Sequence, residues 1–249
     1  MKDTDDKNRP CLICLHHAGG NASVFNRLLR IDPHVLALPV ELPGHGRRNK
    51  EELCSDLKCI AADLANDISK EFCGCEIFIY GHSFGSLVAF ELCRELETKY
   101  GIFPKELIVS GRDAPCYREL KGFDHNKMTE KELLEEMRSY GYMPEILLNN
   151  CEFMKSFVPM ALSDYYMIGG YEYEQGEKLH APIHLNYGDE DRDIVPEKAD
   201  DWGRLTTGGF SKKVYHGDHF FMFNSDSTYF EELIKRVKTA SEICIGGKL

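Results

Sequence analysis

Apolar residues along this chain fall into two alternating kinds of run. Short β-rich runs occur at 11–17, 34–42, 76–82, 106–112, 182–189 and 212–216. Between them lie longer stretches in which apolar residues recur every third or fourth position, the period of one helix face. In 55–70, Leu57, Ile60, Ala61, Leu64 and Ile68 share such a face, and similar spacing predicts helices from about 86 to 99 and 227 to 238. This rhythm predicts an α/β fold: a mostly parallel sheet with helices on both faces, because parallel strands need crossovers and helices supply them.

The rhythm stops between Asp113 and Leu179, where no strand-like run appears. Thr129-Glu130-Lys131-Glu132 has the form of a capping box and opens the helical run Leu133, Leu134, Met137, Tyr140. A second helical segment starts at Pro144, and a third over 151–168 is rich in Phe, Met and Tyr. The expectation is a single domain over 1–249, with 113–179 a helical lid inserted into it.

Charge narrows the partners. The 249 residues carry 30 Lys+Arg against 41 Asp+Glu, a net charge of −11, with no basic block. That balance argues against nucleic acid and against anionic membrane surfaces. No apolar run approaches the ~18 residues of a spanning helix. The charged start at 1–10 has no apolar export region behind it, so a cytoplasmic protein is expected.

The 10 cysteines do not suggest metal or staples. Cys11 and Cys14 fall on one strand with side chains on opposite faces, Cys73 and Cys75 lack a second ligand pair, and the others are scattered. Reduced thiols are expected.

Gly81-His82-Ser83-Phe84-Gly85 is a G-x-S-x-G placed directly after a predicted strand and before a predicted helix. That context marks a nucleophile elbow, with Ser83 lifted above the end of the sheet and a helix N-terminus aimed at the site. The base is expected at His219, after the last strand and before the last helix, with His216 its local competitor. The acid that orients the base is expected at Asp191, three residues past Gly188. Asp189 and Asp193 are alternates, and Asp113, after the preceding strand, is a rival from another loop.

The oxyanion hole is expected to use the backbone N–H of Phe84 and that of Ala18, in the loop His16-His17-Ala18-Gly19-Gly20. Two adjacent histidines on a strand end point apart and find no carboxylate at ligand spacing, so no metal site is expected. The chain holds neither GxxxxGK[ST] nor GxGxxG, so no nucleotide cofactor is expected and none other is implied.

The segment His16 to Gly20, Val-Glu-Leu-Pro-Gly-His-Gly-Arg-Arg at 40–48, the elbow, Ser110 to Pro115, the Asp191 loop and Gly217 to Phe221 together resemble the type II thioesterases. These are discrete α/β-hydrolases that serve non-ribosomal peptide and polyketide synthetases. The resemblance runs across nearly the whole chain and implies an α/β-hydrolase fold with Ser83, Asp191 and His219 catalytic. It also implies an acyl thioester substrate on a phosphopantetheinylated acyl or peptidyl carrier protein, cleared of aberrant acyl groups by a monomeric enzyme. The residues alone give acyl transfer through an acyl-serine, which an esterase or lipase would share. In Pro159 to Asp164, Leu162 stands where the family's P-x-x-R-A-D carries arginine. Arg47, Arg48 and Lys50 form a small basic cluster that could meet an acidic carrier.

Overall fold

Strands β1 (Cys11–Leu15), β3 (Ile77–His82), β4 (Glu106–Ser110) and β5 (Ile183–Gly188) are buried along their whole length. Covered on both faces, they read in sequence as continuous apolar runs instead of alternating ones. With β2 (Leu36–Pro39) and β6 (Phe210–Tyr215) at the edges, they form a six-stranded sheet in the order β2-β1-β3-β4-β5-β6, parallel throughout. The edge strand β6 exposes Ser211 through Val214, including Lys212 and Lys213, and charge on an edge discourages pairing with another chain. This is a computed structural model, and it describes residues 9–72, 74–116, 127–141 and 143–246, with side chains to 242. The sequence readings at residues 1–8 and Cys73 lie outside the described residues.

The pleat of β1 sorts its side chains into two layers. Cys11, Ile13 and Leu15 face one core with helices α1 (Leu57–Glu71) and α2 (Phe84–Tyr100). Leu12 and Cys14 face the other, with Tyr229, Phe230, Leu233, Ile234 and Val237 of α6 (Tyr229–Gly246). Cys11 and Cys14 therefore stand in opposite layers, and the described cysteines are free thiols. Helix α2 starts two residues earlier than the apolar spacing suggests, because Ser83 is itself the residue before its first turn. Helix α6 runs past 238 because no Pro or Gly interrupts it before Gly246.

After β1 the chain builds β2 on one side and then returns to place β3 on the other. The carboxyl ends of β1 and β3 flank this switch point, the place where open α/β sheets hold their ligands.

Between β4 and β5 lie α3 (Glu130–Tyr140), α4 (Glu145–Leu148) and α5 (Cys151–Gly170), with no strand among the described residues. Thr129 and Glu132 close the capping box that starts α3. Phe157, Val158, Ala161 and Tyr165 of α5 pack with Met128 and Leu133 in a cluster of their own, whereas Met167 and Ile168 join the main core. Helix α5 thus belongs half to the insertion and half to the body, with Pro159 inside it. No described helix is long and apolar enough to cross a membrane.

Candidate active site

Ser83 holds φ +55° and ψ −115°, and it is the one described non-glycine residue with positive φ. Such a conformation is costly for an L-residue and persists only where its surroundings enforce it. A Cβ on Gly81 would come within 2.1 Å of the Gly85 carbonyl oxygen, and one on Gly85 within 2.2 Å of that of Leu15. Both positions are therefore closed to any side chain. The Ser83 N–H donates to the Ser110 carbonyl at 2.8 Å, tying the turn to β4. The Phe84 N–H opens α2, in the turn whose N–H groups have no partner inside the helix.

His219 is buried, and its Nδ1 donates to both oxygens of Asp191 at 3.0 Å. The Asp191 carboxylate accepts the Asp193 N–H at 2.9 Å as well, which fixes it in place. With Nδ1 holding its proton toward Asp191, Nε2 keeps the lone pair that a general base needs.

The other carboxylates of this loop do different work. Asp189 accepts the Gly217 N–H at 2.9 Å and so joins two loops. Asp193 accepts the Tyr140 hydroxyl of α3, with its own Oδ2 3.7 Å from His219 Nδ1. Glu190 is exposed. Asp113 accepts the Val195 N–H at 3.2 Å, a bond that braces the loop from the side. His216, the rival base, is 86% exposed in its side chain and stands beside Asp189.

The loop after β1 is a hydrogen-bonded turn. The Gly20 N–H donates to the His17 carbonyl at 3.0 Å, and His17 Nδ1 donates to the Ala18 carbonyl at 3.0 Å. The Ala18 N–H takes no part in these bonds. Burial pushes the His17 pKa down to about 4 and that of His82 well below the usual histidine range. His82 packs on His219 with ring centroids 4.8 Å apart. A neutral His82 places no like charge beside the His219 ring.

Ser83, His219 and Ala18 line one cavity of about 460 Å³. One wall is small and polar, from Gly19, Gly20, Asn21, Ser23 and Asn49; the other, from the insertion, carries Met137, Met143, Leu147, Phe153, Phe157 and Met160. Above His219 lies Tyr140, ring centroids 5.0 Å apart, with the Arg192 guanidinium 4.1 Å from the Tyr140 ring centre and paired to Glu136 at 2.9 Å.

Sequence reasoning missed Tyr140 and the buried pair of His45 and Asp164, whose His45 Nε2 to Asp164 Oδ2 distance is 3.0 Å. A signal existed for Asp164. It falls on the helical stripe of Phe157, Ala161 and Ile168, where a solvated acid does not belong.

Residues 10–240 match the family model of the thioesterase domain. The gramicidin S biosynthesis protein GrsT of Aneurinibacillus migulanus is 30% identical over 231 residues, covering 91% of this chain and 88% of that protein. The thioesterase PikA5 of Streptomyces venezuelae is 32% identical over 212 residues, covering 85% and 75%. Among solved structures, the type II thioesterase BorB from the borrelidin biosynthetic cluster aligns at a TM-score of 0.79 and 28% identity, over 92% of each chain.

Proposed function

The chain belongs to the thioesterase family, and from that premise we propose that it is a type II thioesterase that clears acyl groups from the phosphopantetheine arms of carrier proteins. Ser83, His219 and Asp191 act as its triad. Ser83 attacks the thioester carbonyl while His219 takes the hydroxyl proton, and Asp191 holds the imidazole and stabilises the imidazolium. The N–H groups of Phe84 and Ala18 receive the oxyanion. The tetrahedral intermediate collapses, His219 returns its proton to the departing thiolate, and the acyl group stays on Ser83. Water, deprotonated by His219, then releases the free acid and restores the serine.

The observation that carries this reading is the convergence of three strand ends. Ser83 follows β3, Asp191 follows β5 and His219 follows β6, and the His219 ring that bonds Asp191 at 3.0 Å lines the same cavity as Ser83. The insertion with α3 to α5 acts as the lid, its Met and Phe wall taking the acyl chain. A carrier that is itself acidic gains nothing from a net charge of −11, so docking uses a local patch. Arg47 and Lys50 are exposed and flank Gly46 and Asn49 at the cavity.

Mass spectrometry of acyl-loaded carrier protein incubated with enzyme tests the proposal. The acyl mass should disappear with the native protein and persist with Ser83→Ala, whose kcat should fall by about 10³-fold or more. An acyl carrier left intact by the native protein, together with ready cleavage of p-nitrophenyl esters, would instead mark a small-molecule esterase.

A further inference from the structure

A buried carboxylate reaches from the insertion to the loop after β1. Asp164 on α5 is fully buried, and its Oδ2 accepts the Gly19 N–H at 2.8 Å and His45 Nε2 at 3.0 Å. The other ring nitrogen of His45, Nδ1, faces the Pro43 carbonyl at 2.9 Å. Both nitrogens of His45 thus meet acceptors, so both carry protons and the ring is an imidazolium. Burial works to lower the His45 pKa, but the Asp164 hydrogen bond and charge, the Pro43 carbonyl and Glu41 raise it on balance.

A buried ion pair is weak evidence for stability, since the loss of hydration roughly offsets the attraction. The second oxygen of Asp164, Oδ1, is buried with no hydrogen-bond partner among the described residues, which adds to that cost. What the pair does accomplish is local. The Ala18–Gly19 peptide is held at both ends, its carbonyl by His17 Nδ1 at 3.0 Å and its N–H by Asp164 at 2.8 Å. The adjoining His17–Ala18 peptide, which carries the Ala18 N–H, is held in turn through its own carbonyl by the Gly20 N–H at 3.0 Å, so the two successive peptides of the loop are braced together.

We propose that Asp164 is a positioning residue for the oxyanion hole, acting through the Gly19 N–H to hold the Ala18 N–H in place. The inference rests on the oxyanion role proposed for Ala18. Because Asp164 stands on α5, the hole is complete only while that helix is seated against the body. The Ser163 hydroxyl, which donates to the Cys54 carbonyl at 3.0 Å, is a second anchor of the same turn.

The test measures kcat, KM and the inhibition constant of an acyl trifluoromethyl ketone, which forms a hemiketal oxyanion on Ser83. Asp164→Ala should lose about 10- to 100-fold in kcat with KM little changed, less than the roughly 10²- to 10³-fold of deleting a donor outright. The ketone should weaken by the same factor as kcat/KM, and a non-reactive thioether analogue should bind as before. Asp164→Asn, whose amide oxygen can take the place of Oδ2, should stay within about threefold of the native kcat. His45→Gln should lower the melting temperature and cost less in kcat than Asp164→Ala.

A merely structural Asp164 would give folded Asp164→Ala with native kcat and a lower melting temperature, and that result overturns the proposal. If Asp164→Ala does not fold, Asp164→Ala with His45→Gln removes the stranded buried charge and is read the same way. Native enzyme that neither cleaves thioesters nor binds the ketone would overturn the functional reading itself. Native activity with an unaffected Asp164→Ala overturns this inference alone.

Discussion

The two walls of the cavity are built on different physical terms. On the sheet side, backbone geometry dictates each position: the positive φ of Ser83, glycines at 81 and 85 with no room for a Cβ, and the Asp191–His219 bonds at strand ends. On the insertion side the wall is Met137, Met143, Met160, Phe153 and Phe157, unbranched or aromatic side chains that can repack around different guests. That wall meets the active-site loops through a few polar bonds, notably Tyr140 to Asp193 and Asp164 to Gly19. Bond-making requires groups held to within about half an ångström, whereas accommodating an acyl chain tolerates adjustment. The molecule places each demand on the material that suits it.

The sharpest test of this contrast is on the rigid side. Asp191→Asn should cost about 10⁴-fold in kcat, as expected when the base loses the partner that sets its tautomer. Asp113→Asn should leave kcat within a few-fold, because Asp113 braces the loop through the Val195 N–H, whereas the carboxylate bonded to His219 is that of Asp191. Steady-state kinetics on one acyl thioester distinguishes them, and equal losses would break the assignment of the acid.

Acid should loosen the rigid wall next. Burial pushes His16 down to about 3 and His17 to about 4, so the native state holds both neutral while the unfolded chain binds protons below about 6.5. More protons bound in the unfolded state means that stability rises with pH through this window and falls as pH drops from about 6.5 toward 3. His45, raised, acts in the opposite sense but is one group against several. Between pH 6.5 and 5, His16 alone should cost about 2 kcal/mol. Thermal melts should show the loss, and His16→Gln should flatten the slope. An unchanged slope would mean that His16 is charged in the native fold.

The smallest effect belongs to the soft wall. Phe153→Ala should shift preference toward longer acyl chains by about 10-fold in relative kcat/KM, the scale of one or two methylenes in an apolar pocket. Turnover of a C2 to C10 thioester series measures it. A loss equal at all lengths would show that this wall, too, serves the chemistry.

Most of the rigid wall is legible in the sequence, because it depends on neighbours. The elbow is five consecutive residues between a strand and a helix, and His219 is marked by its place between β6 and α6. Choosing among the acids at 189, 190, 191 and 193 needs three dimensions, since each faces something different: the Gly217 N–H, solvent, the His219 ring and the Tyr140 hydroxyl. The soft wall is least legible. Asp164 and His45 are 119 positions apart, and although each falls in a segment that resembles the family, neither segment marks that the two will meet as a buried pair. An isolated acid on a predicted helix reads as solvated until its apolar stripe is drawn.

The backbone angle at Ser83 also restricts which mutations the lineage can survive. A β-branched residue at positive φ is strongly strained, so threonine, although it too offers a hydroxyl, is a poor occupant of this turn. Cysteine has serine's unbranched shape and its own nucleophile, so under the proposed mechanism it is the substitution that leaves both the turn and an acyl-enzyme route open. The shape of one turn thereby sets the direction in which this active site can change its chemistry.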